Sequence, residues 1–118
     1  MAEIHLFRHA RDVVETQPGL VLFREGEVGQ AMFAILDGEV QLSIEGRVID
    51  TLGPGSIVGE MSLVDHSPRS ATATASTVGR VARVDEREFT FLVQEHPTFA
   101  LEVMKVLVER IRRANQTH

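Results

Sequence analysis

The chain has 118 residues, of which 43% are hydrophobic and 25% are charged, the proportions of one ordinary globular domain. Its net charge of −5 disfavours a nucleic-acid binder, because the only basic cluster is Arg110, Arg112 and Arg113 near the C-terminus. The sequence has no cysteine, no signal-peptide pattern and no run approaching the roughly 18 apolar residues of a membrane span, so we expect a cytoplasmic protein that does not meet a membrane.

The first predicted element is a short helix from Glu3 to Arg11. His5 and His9 lie four residues apart and would share one face of this helix, as metal ligands can. No Glu or Cys stands at a useful spacing to complete a metal site. We therefore interpret the segment as a solvated terminal helix with two titrating side chains.

Short strands separated by glycine turns are predicted for residues 12–84. Asp37 and the glycine after it form the strongest hairpin signal. In the strand that follows, Val40, Leu42 and Ile44 alternate with polar residues and are expected to point to one side. Strands of this length and spacing predict an antiparallel β-roll or jelly-roll. The predicted strands are Val13–Thr16, Leu20–Arg24, Met32–Leu36, Glu39–Ile44, Arg47–Leu52, Ala71–Ala75 and Val78–Val84.

Two helices are predicted after the strands, at about residues 86–114. Asp85, followed by Glu88 three residues later, is typical of a helix start, and this first helix is predicted to end near Glu95. Its apolar residues, which we expect to be buried, are Phe89, Leu92 and Val93. Together with the β-roll at about residues 12–84, the helices would form a single domain over residues 1–118.

The last helix, which follows Pro97, has more apolar surface than one packing face needs. One face carries Leu101, Met104, Val108 and Ile111, and the residues that widen it are Phe99, Val103, Val106 and Leu107. We expect one side to pack on the roll. For the excess we favour simple burial, and the alternatives are a contact with a second copy or an effector protein, or a cover over a ligand.

The most informative stretch runs from Gly59 to Ser76, between the predicted strands. A short helical turn begins at Glu60, and Arg69 follows after a loop. Backbone N–H groups at a helix start and a guanidinium both bind phosphate oxygens, whereas a carboxylate repels phosphate and accepts hydrogen bonds from hydroxyls. A sugar phosphate presents both groups, and a cyclic nucleotide holds them in a fixed geometry.

This stretch resembles the phosphate-binding cassette of the cyclic nucleotide-binding domains, the family found in the catabolite activator protein and in the regulatory subunits of protein kinase A. The matching motifs are Gly59-Glu60-Met61-Ser62-Leu63 and Pro68-Arg69-Ser70-Ala71. Ser62 departs from the usual alanine and adds a hydrogen-bond donor. The resemblance extends from about Pro18 to Arg113 and implies an antiparallel jelly-roll with a short cassette helix and two C-terminal helices.

The resemblance also implies a role for each cassette residue. Arg69 would pair with the exocyclic phosphate oxygens, Glu60 would accept from the ribose 2′-hydroxyl, and Gly59 would let the backbone come close to the ligand. Further backbone donors would come from Ser70, Ala71 and the cassette helix, which includes Met61 and Ser62. The apolar wall would consist of Val58, Leu63, Ala71 and Ala73.

A residue of the C-terminal helix caps the purine in many relatives, and the candidates here are Arg110, Arg112 and Arg113, with Arg110 taken as the site residue. The alternative for these arginines is a solvated helix end that the helix dipole favours. Ser70 stands where a threonine favours cGMP, and a serine can bond either base. We expect cAMP as the ligand, with cGMP as a further possibility, no cofactor, and a ligand that folds residues 102–113 onto a rigid roll.

Three competing interpretations stay open at the level of sequence. Glu60 and Arg69 could simply pair with each other, although exposed ion pairs contribute only about 0–1 kcal/mol. A ligand-free protein-interaction domain could have the same fold. A cupin-type metalloenzyme is disfavoured, because the histidines are scattered and no nucleophile stands beside a base, so we predict no catalytic residues. The chain would be either a free-standing sensor or one domain of a longer protein.

Overall fold

The computed structural model describes residues 12–116. The predicted helix with His5 and His9 lies outside the described residues, and so does His118. The eight strands of the described part are β1 Val13–Thr16, β2 Val21–Phe23, β3 Ala31–Asp37, β4 Val40–Ile44, β5 Arg47–Leu52, β6 Ile57–Val58, β7 Thr72–Ala75 and β8 Gly79–Asp85. The helices are α1 Glu60–Asp65, α2 Glu86–Glu95 and α3 Phe99–Gln116.

The strands form two four-stranded antiparallel sheets with the orders β1-β8-β3-β6 and β2-β7-β4-β5. The predicted fold class, an antiparallel β-roll with a short cassette helix and two C-terminal helices, is confirmed. The connection from β6 to β7 carries α1 and crosses from the first sheet to the second. The cassette is therefore one of the crossovers that join the two sheets, and the one that contains a helix.

The first sheet packs on both of its faces, and its central strands divide their side chains between two cores. Along β3, Met32 and Ala34 face the helices, whereas Phe33 and Ile35 face the second sheet, because successive side chains of a strand point to opposite faces. The inter-sheet core consists of Phe23, Phe33, Ile35, Val40, Leu52, Val58, Ala73 and Val81. The helix-side core consists of Met32, Ala34, Ile57, Leu63, Ala82, Val84, Phe99, Val103 and Val106.

The expected one-sided pattern of β4 holds only in part. Val40 is buried and Leu42 is half-buried, but Ile44 is 39% exposed. The pairing of β4 with β7 ends at Ser43, so Ile44 has a paired strand on one side only, where it faces Arg47 of β5. At this end of the hairpin, the alternation of apolar and polar residues therefore does not predict which side chains are buried.

The first C-terminal helix begins where the sequence predicted. The Asp85 carboxylate accepts a hydrogen bond from the backbone N–H of Glu88 at 2.8 Å, which satisfies one of the free amides of the first turn. Since β8 itself ends at Asp85, α2 follows the strand without a loop. The predicted apolar residues of α2 are half-buried against the helix-side core, and they are Phe89, Leu92 and Val93.

The two apolar sides of α3 have different environments. The side that packs on the roll contains Phe99, Val103 and Val106, each at most 6% exposed, and the Phe99 ring lies 5.3 Å from that of Phe89. The other side is 43–59% exposed and consists of Leu101, Met104, Val108 and Ile111. Simple burial against the roll, which we expected for the excess apolar surface, therefore accounts for only one of the two sides.

Candidate functional site

Arg69, in the second motif of the cassette, is only 8% exposed. Its Nη1 donates to the carbonyl oxygen of Gly59 at 3.0 Å, and its Cζ lies 4.2 Å from the centre of the Phe23 ring, a cation–π contact. Its Nε is buried without a hydrogen-bond partner among the described residues. Burial lowers the pKa of Arg69, because desolvation disfavours the charged form. The guanidinium is thus held by neutral groups and keeps an unused buried donor.

Two glycines make room for this guanidinium. Gly59 has a φ of 80°, and a Cβ at this position would lie 2.6 Å from Arg69 Nη1 and 3.0 Å from the Phe23 ring. A Cβ at Gly29 would collide with Arg69 Nη2 and Nε. The backbone of Arg69 is fixed as well, since its N–H donates to the Glu27 carbonyl oxygen at 2.8 Å. The turn between β2 and β3 therefore forms the second wall of the arginine site.

Glu60 is the first residue of α1, and its partner is Arg110 of α3. Arg110 Nη1 donates to Glu60 Oε1 at 2.6 Å, and Nη2 donates to the carbonyl oxygen of Ile57 at 2.5 Å. Both side chains are largely buried, with 13% of Glu60 and 22% of Arg110 exposed. The alternative in which Glu60 serves only to pair with Arg69 is therefore not the arrangement of the described chain.

The cassette loop is closed by its own polar side chains. Ser62 is 2% exposed, and its hydroxyl donates to the Ser67 carbonyl oxygen at 2.8 Å. The Asp65 carboxylate accepts from the Ser67 N–H at 3.0 Å, and hydrogen bonds from Ser67 lower the pKa of Asp65 because they favour the ionised form. His66 ends α1 with a φ of 58° and contacts Glu86 of α2 at 3.2 Å. The serine that departs from the family pattern thus has a structural partner.

The remaining predicted site residues separate into three groups. Val58 and Ala73 belong to the inter-sheet core with Phe23, and Ala71 is 7% exposed. Leu63 belongs to the helix-side core, where it connects α1 to α3. The side chains of Met61 and Ser70 are exposed. The structure brings Gly59, Glu60, Arg69 and Arg110 together, whereas Leu63 lies on the other side of the first sheet from Val58 and Ala73.

Sequence reasoning missed several residues that shape the site. Phe23 and Gly29 contact the Arg69 guanidinium, and the Asp50 carboxylate on β5 lies 3.4 Å from Nη2 of Arg113, an arginine already predicted as a candidate cap for the purine. A cavity of about 170 Å³ lies between β5 and α3 beside this ion pair. Its lining residues are Thr51, Leu52, Gly53, Ser56, Val106, Glu109, Arg110 and Arg113. A signal for Asp50 existed, since a carboxylate stood among the apolar residues of a predicted strand.

Two structural features are absent from residues 12–116, the part of the chain that the structure describes. This part of the chain contains no group of three or more His, Cys, Asp or Glu side chains that could hold a metal ion. None of its helices is long and apolar enough to span a bilayer.

Comparison with known proteins gives a consistent family. A family profile described as "Cyclic nucleotide-binding domain" matches residues 13–96. A CRP-like cAMP-activated global transcriptional regulator of Mycobacterium tuberculosis is 30% identical over 107 residues, which cover 86% of this chain and 48% of that protein. A cyclic nucleotide-gated potassium channel of Rhizobium etli is 36% identical over 92 residues, which cover 78% of this chain and 26% of the channel.

Among solved structures, the catabolite activator protein of Thermus thermophilus superposes with a TM-score of 0.77 at 30% identity and covers 90% of this chain. The match covers 52% of that protein, and the chain likewise spans about half the length of the mycobacterial regulator. The profile match, the two-sheet roll and the arrangement of Glu60 and Arg69 at the crossover agree, and the chain belongs to the cyclic nucleotide-binding domain family.

Proposed function

We propose that the chain is a sensor domain, and not an enzyme, that binds a cyclic nucleotide at the cassette and signals its presence through α3. cAMP is the expected ligand and cGMP a further one. The name of the mycobacterial relative, a cAMP-activated regulator, supports cAMP. The family membership supports a cyclic nucleotide in general.

The observation that carries this proposal is the state of Arg69. A guanidinium that is 8% exposed and has a buried Nε without a partner is destabilising unless something else uses its donors. Its protein partners are a carbonyl oxygen and an aromatic ring, so its positive charge is not neutralised by a hydrogen-bonded carboxylate. A cyclic phosphate would supply both the missing acceptor and the opposite charge.

The ribose end of the site is supported by the pair of Glu60 and Arg110. Arg110 uses Oε1 of Glu60, which orients the carboxylate and leaves Oε2 for a ligand hydroxyl. Since Arg110 also binds the Ile57 carbonyl oxygen, its guanidinium is fixed at the edge of the cassette. We propose that Arg110 positions Glu60. Whether Arg110 also caps the purine stays a prediction.

The same pair gives a route from ligand to α3. Glu60 and Leu63 both lie on the cassette helix, and they contact α3 through Arg110 and the helix-side core respectively. A ligand that binds Glu60 therefore acts on a residue that already holds the last helix. Such a ligand shifts the position of α3 only if it binds the two positions with different affinities.

The exposed side of α3 supports a protein contact as the output. Leu101, Met104, Val108 and Ile111 are spaced by three, four and three residues, which is the a/d spacing of a two-helix seam. All four side chains are 43–59% exposed, so this stripe is unused within the described chain. We propose that it packs against a second copy or an effector protein.

Calorimetric titration with cAMP, cGMP and 5′-AMP tests the function. We expect cAMP to bind, cGMP to bind comparably or more weakly, and 5′-AMP to bind much more weakly, because its phosphate is not tied to the ribose in the required geometry. No heat with any nucleotide would favour a ligand-free interaction domain. Equal binding of cAMP and 5′-AMP would contradict a site built for a cyclic phosphate.

A further inference from the structure

We propose that Glu27 is a specificity residue of the phosphate site, and that its carboxylate favours a phosphate diester with one negative charge over a phosphate monoester with up to two. The inference rests on the proposed function and concerns a residue outside the cassette, in the turn between β2 and β3. Hydrolysis of the ring of a cyclic nucleotide converts the diester into such a monoester. A sensor that excludes the monoester therefore responds only to the intact ring.

The turn that carries Glu27 is fixed directly beside Arg69. The Arg69 backbone N–H donates to the Glu27 carbonyl oxygen at 2.8 Å, and the Arg69 carbonyl oxygen accepts from the N–H of Gly26, also at 2.8 Å. Both backbone polar groups of Arg69 are therefore bonded to this turn. The position of the Glu27 backbone relative to the phosphate-binding arginine does not depend on the charge of the Glu27 side chain.

The Glu27 carboxylate is not a hydrogen-bond partner of the guanidinium. Its Oε1 accepts from the backbone N–H of Arg24 at 2.6 Å, within the turn. Arg69 donates instead to the Gly59 carbonyl oxygen, and its Nε has no partner among the described residues. A carboxylate bound to the guanidinium would compete with the phosphate for its donors. A carboxylate held nearby leaves those donors free and opposes additional negative charge.

The charged neighbours of Arg69 act on it with different strengths. Burial has the largest effect on the pKa of Arg69 and lowers it. Of the charged neighbours, Glu27 acts most strongly and raises the pKa, Arg83 lowers it, and Glu60 raises it. Glu60 is paired with Arg110, whereas Glu27 forms no ion pair within residues 12–116. Glu27 is therefore the carboxylate whose charge a phosphate at Arg69 would meet.

The charge of the ligand determines the size of this repulsion. The phosphate of a cyclic nucleotide has one negative charge, whereas a phosphate monoester has about 1.5 to 2 near pH 7, because its second pKa is about 6. Coulomb energy is proportional to the product of the charges, so Glu27 repels the monoester up to about twice as strongly. Arg69 attracts the second charge as well, and Glu27 offsets part of that gain.

The test is Glu27→Gln, which removes the charge and keeps an oxygen that can accept from the Arg24 N–H. We expect the affinity for cAMP to rise about two- to threefold, the scale of a screened interaction between partly exposed charges. The affinity for 5′-AMP, measured by competition with cAMP, should rise about four- to ninefold, since the repulsion doubles. The preference for cAMP over 5′-AMP should therefore fall about two- to threefold.

The matched control is Glu25→Gln in the same turn. The Glu25 carboxylate also accepts from a backbone N–H, that of Glu45 at 2.8 Å, and it is not among the charged neighbours that shift the pKa of Arg69. This variant should leave both affinities unchanged. An equal gain in Glu25→Gln would attribute the effect to the net charge of the protein and overturn the role of Glu27.

Arg83→Gln tests the same mechanism with the opposite sign and from another element. Arg83 is on β8, opposite Phe33 of β3 and on the same side of the strand as the buried Val81. Loss of this positive charge should weaken 5′-AMP more than cAMP and raise the preference for cAMP. If Glu27→Gln and Arg83→Gln shift the preference in the same direction, the cause is structural, and the inference is overturned.

The pH dependence of the preference gives a further measurement. Lowering the pH from about 7.5 to about 5.5 converts most of the monoester into a monoanion and leaves the charge of the cyclic diester unchanged. The difference in preference between wild type and Glu27→Gln should shrink over this range. A difference that stays constant would contradict repulsion of the second charge.

The remaining outcomes separate this inference from the proposed function. If wild-type protein binds no cyclic nucleotide, the proposed function is wrong and the inference falls with it. If it binds cAMP, but Glu27→Gln leaves the preference unchanged or raises it, Glu27 does not set specificity, and the proposed function stands. If 5′-AMP competes with cAMP in neither protein, the cAMP affinity decides, and the absence of a gain in Glu27→Gln overturns the inference.

Discussion

Arg69 and Arg110 contact neighbouring residues of the cassette, Gly59 and Glu60, and their surroundings differ. Arg69 is held by an aromatic ring, a carbonyl oxygen and two glycines, and its Nε has no partner among the described residues. Arg110 has a carboxylate and a carbonyl oxygen, with contacts of 2.6 and 2.5 Å. Neutral partners leave the charge of the first arginine available to an anion, whereas the charge of the second is already compensated.

This difference indicates that Arg69 binds the phosphate and that Arg110 positions Glu60. Desolvation without a hydrogen-bonded carboxylate is unfavourable in the free protein and is offset when an anion binds, so Arg69 is suited to hold the phosphate. Arg110 is suited to hold Glu60 and, through it, α3 against the roll. Variants of the two arginines should therefore have separable effects on ligand binding and on the position of α3.

The largest effect is expected at Arg69. Arg69→Ala removes the only proposed charged contact to the phosphate and should weaken cAMP binding by at least about 1.5–3 kcal/mol, the range for hydrogen bonds to charged groups. Calorimetry measures this loss, with Arg80→Ala as the control for removing an exposed arginine.

Stability measurements sharpen the same prediction. Arg69→Leu keeps apolar contact with Phe23 and removes a buried donor that has no partner, so its melting temperature without ligand should equal or exceed that of wild type. A strong loss of stability in Arg69→Leu would mean that Arg69 is primarily a structural residue, as a paired buried arginine would be.

The next effect is expected at Gly29. A methyl group there would collide with the guanidinium of Arg69, and the φ of Gly29 lies outside the left-handed region, so the backbone itself tolerates alanine. Gly29→Ala should therefore displace Arg69 and lower the affinity for cAMP about tenfold, provided one charge-assisted hydrogen bond is lost. Adding Gly29→Ala to Arg69→Ala should have no further effect, and an additive loss in that double variant would contradict the steric mechanism.

A smaller and more selective effect is expected at Glu60. Wild-type protein should prefer cAMP to 2′-deoxy-cAMP, and Glu60→Ala should bind cAMP more weakly and lose most of that preference, because the acceptor for the 2′-hydroxyl is gone. Competition titrations with the two nucleotides measure the ratio. Arg110→Ala removes the same ion pair but leaves the carboxylate, so it should reduce the preference less than Glu60→Ala does. A full 2′-hydroxyl preference in Glu60→Ala would assign that hydroxyl to another residue.

The parts of this site that the sequence predicts are the local ones. Gly59, Glu60 and Arg69 lie within one crossover, and the start of α2 depends on Asp85 and a residue three positions later, so a short motif describes each of them. The contacts that set the chemistry are distant in sequence. Arg110 is 50 residues from Glu60, and the separation between Arg113 and Asp50 is 63 residues.

The sequence pattern also could not predict which apolar side of α3 packs on the roll. Both of its apolar sides have helical spacing, and periodicity alone could not decide which one packs on the roll. The packed side is the one that lets Phe99 contact Phe89 and brings Arg110 to Glu60. Tertiary contacts made by one aromatic and one charged residue therefore determine the face that stays exposed.

The smallest effect concerns the motion of α3. If Glu60 transmits binding through Arg110, cAMP should slow amide hydrogen exchange in residues 102–113 more than in the strands from residue 20 to 52, because α3 is held by side-chain ion pairs and one apolar side while the strands lie in two paired sheets. Arg110→Ala should bind cAMP but lose most of this additional protection, whereas Arg112→Ala, which removes an exposed arginine of the same helix, should keep it. Equal protection of α3 and the strands in the wild-type protein would mean that cAMP binding does not act on α3. If Arg110→Ala keeps the additional protection of α3, the coupling depends on the packing of Leu63 against α3 and not on the ion pair.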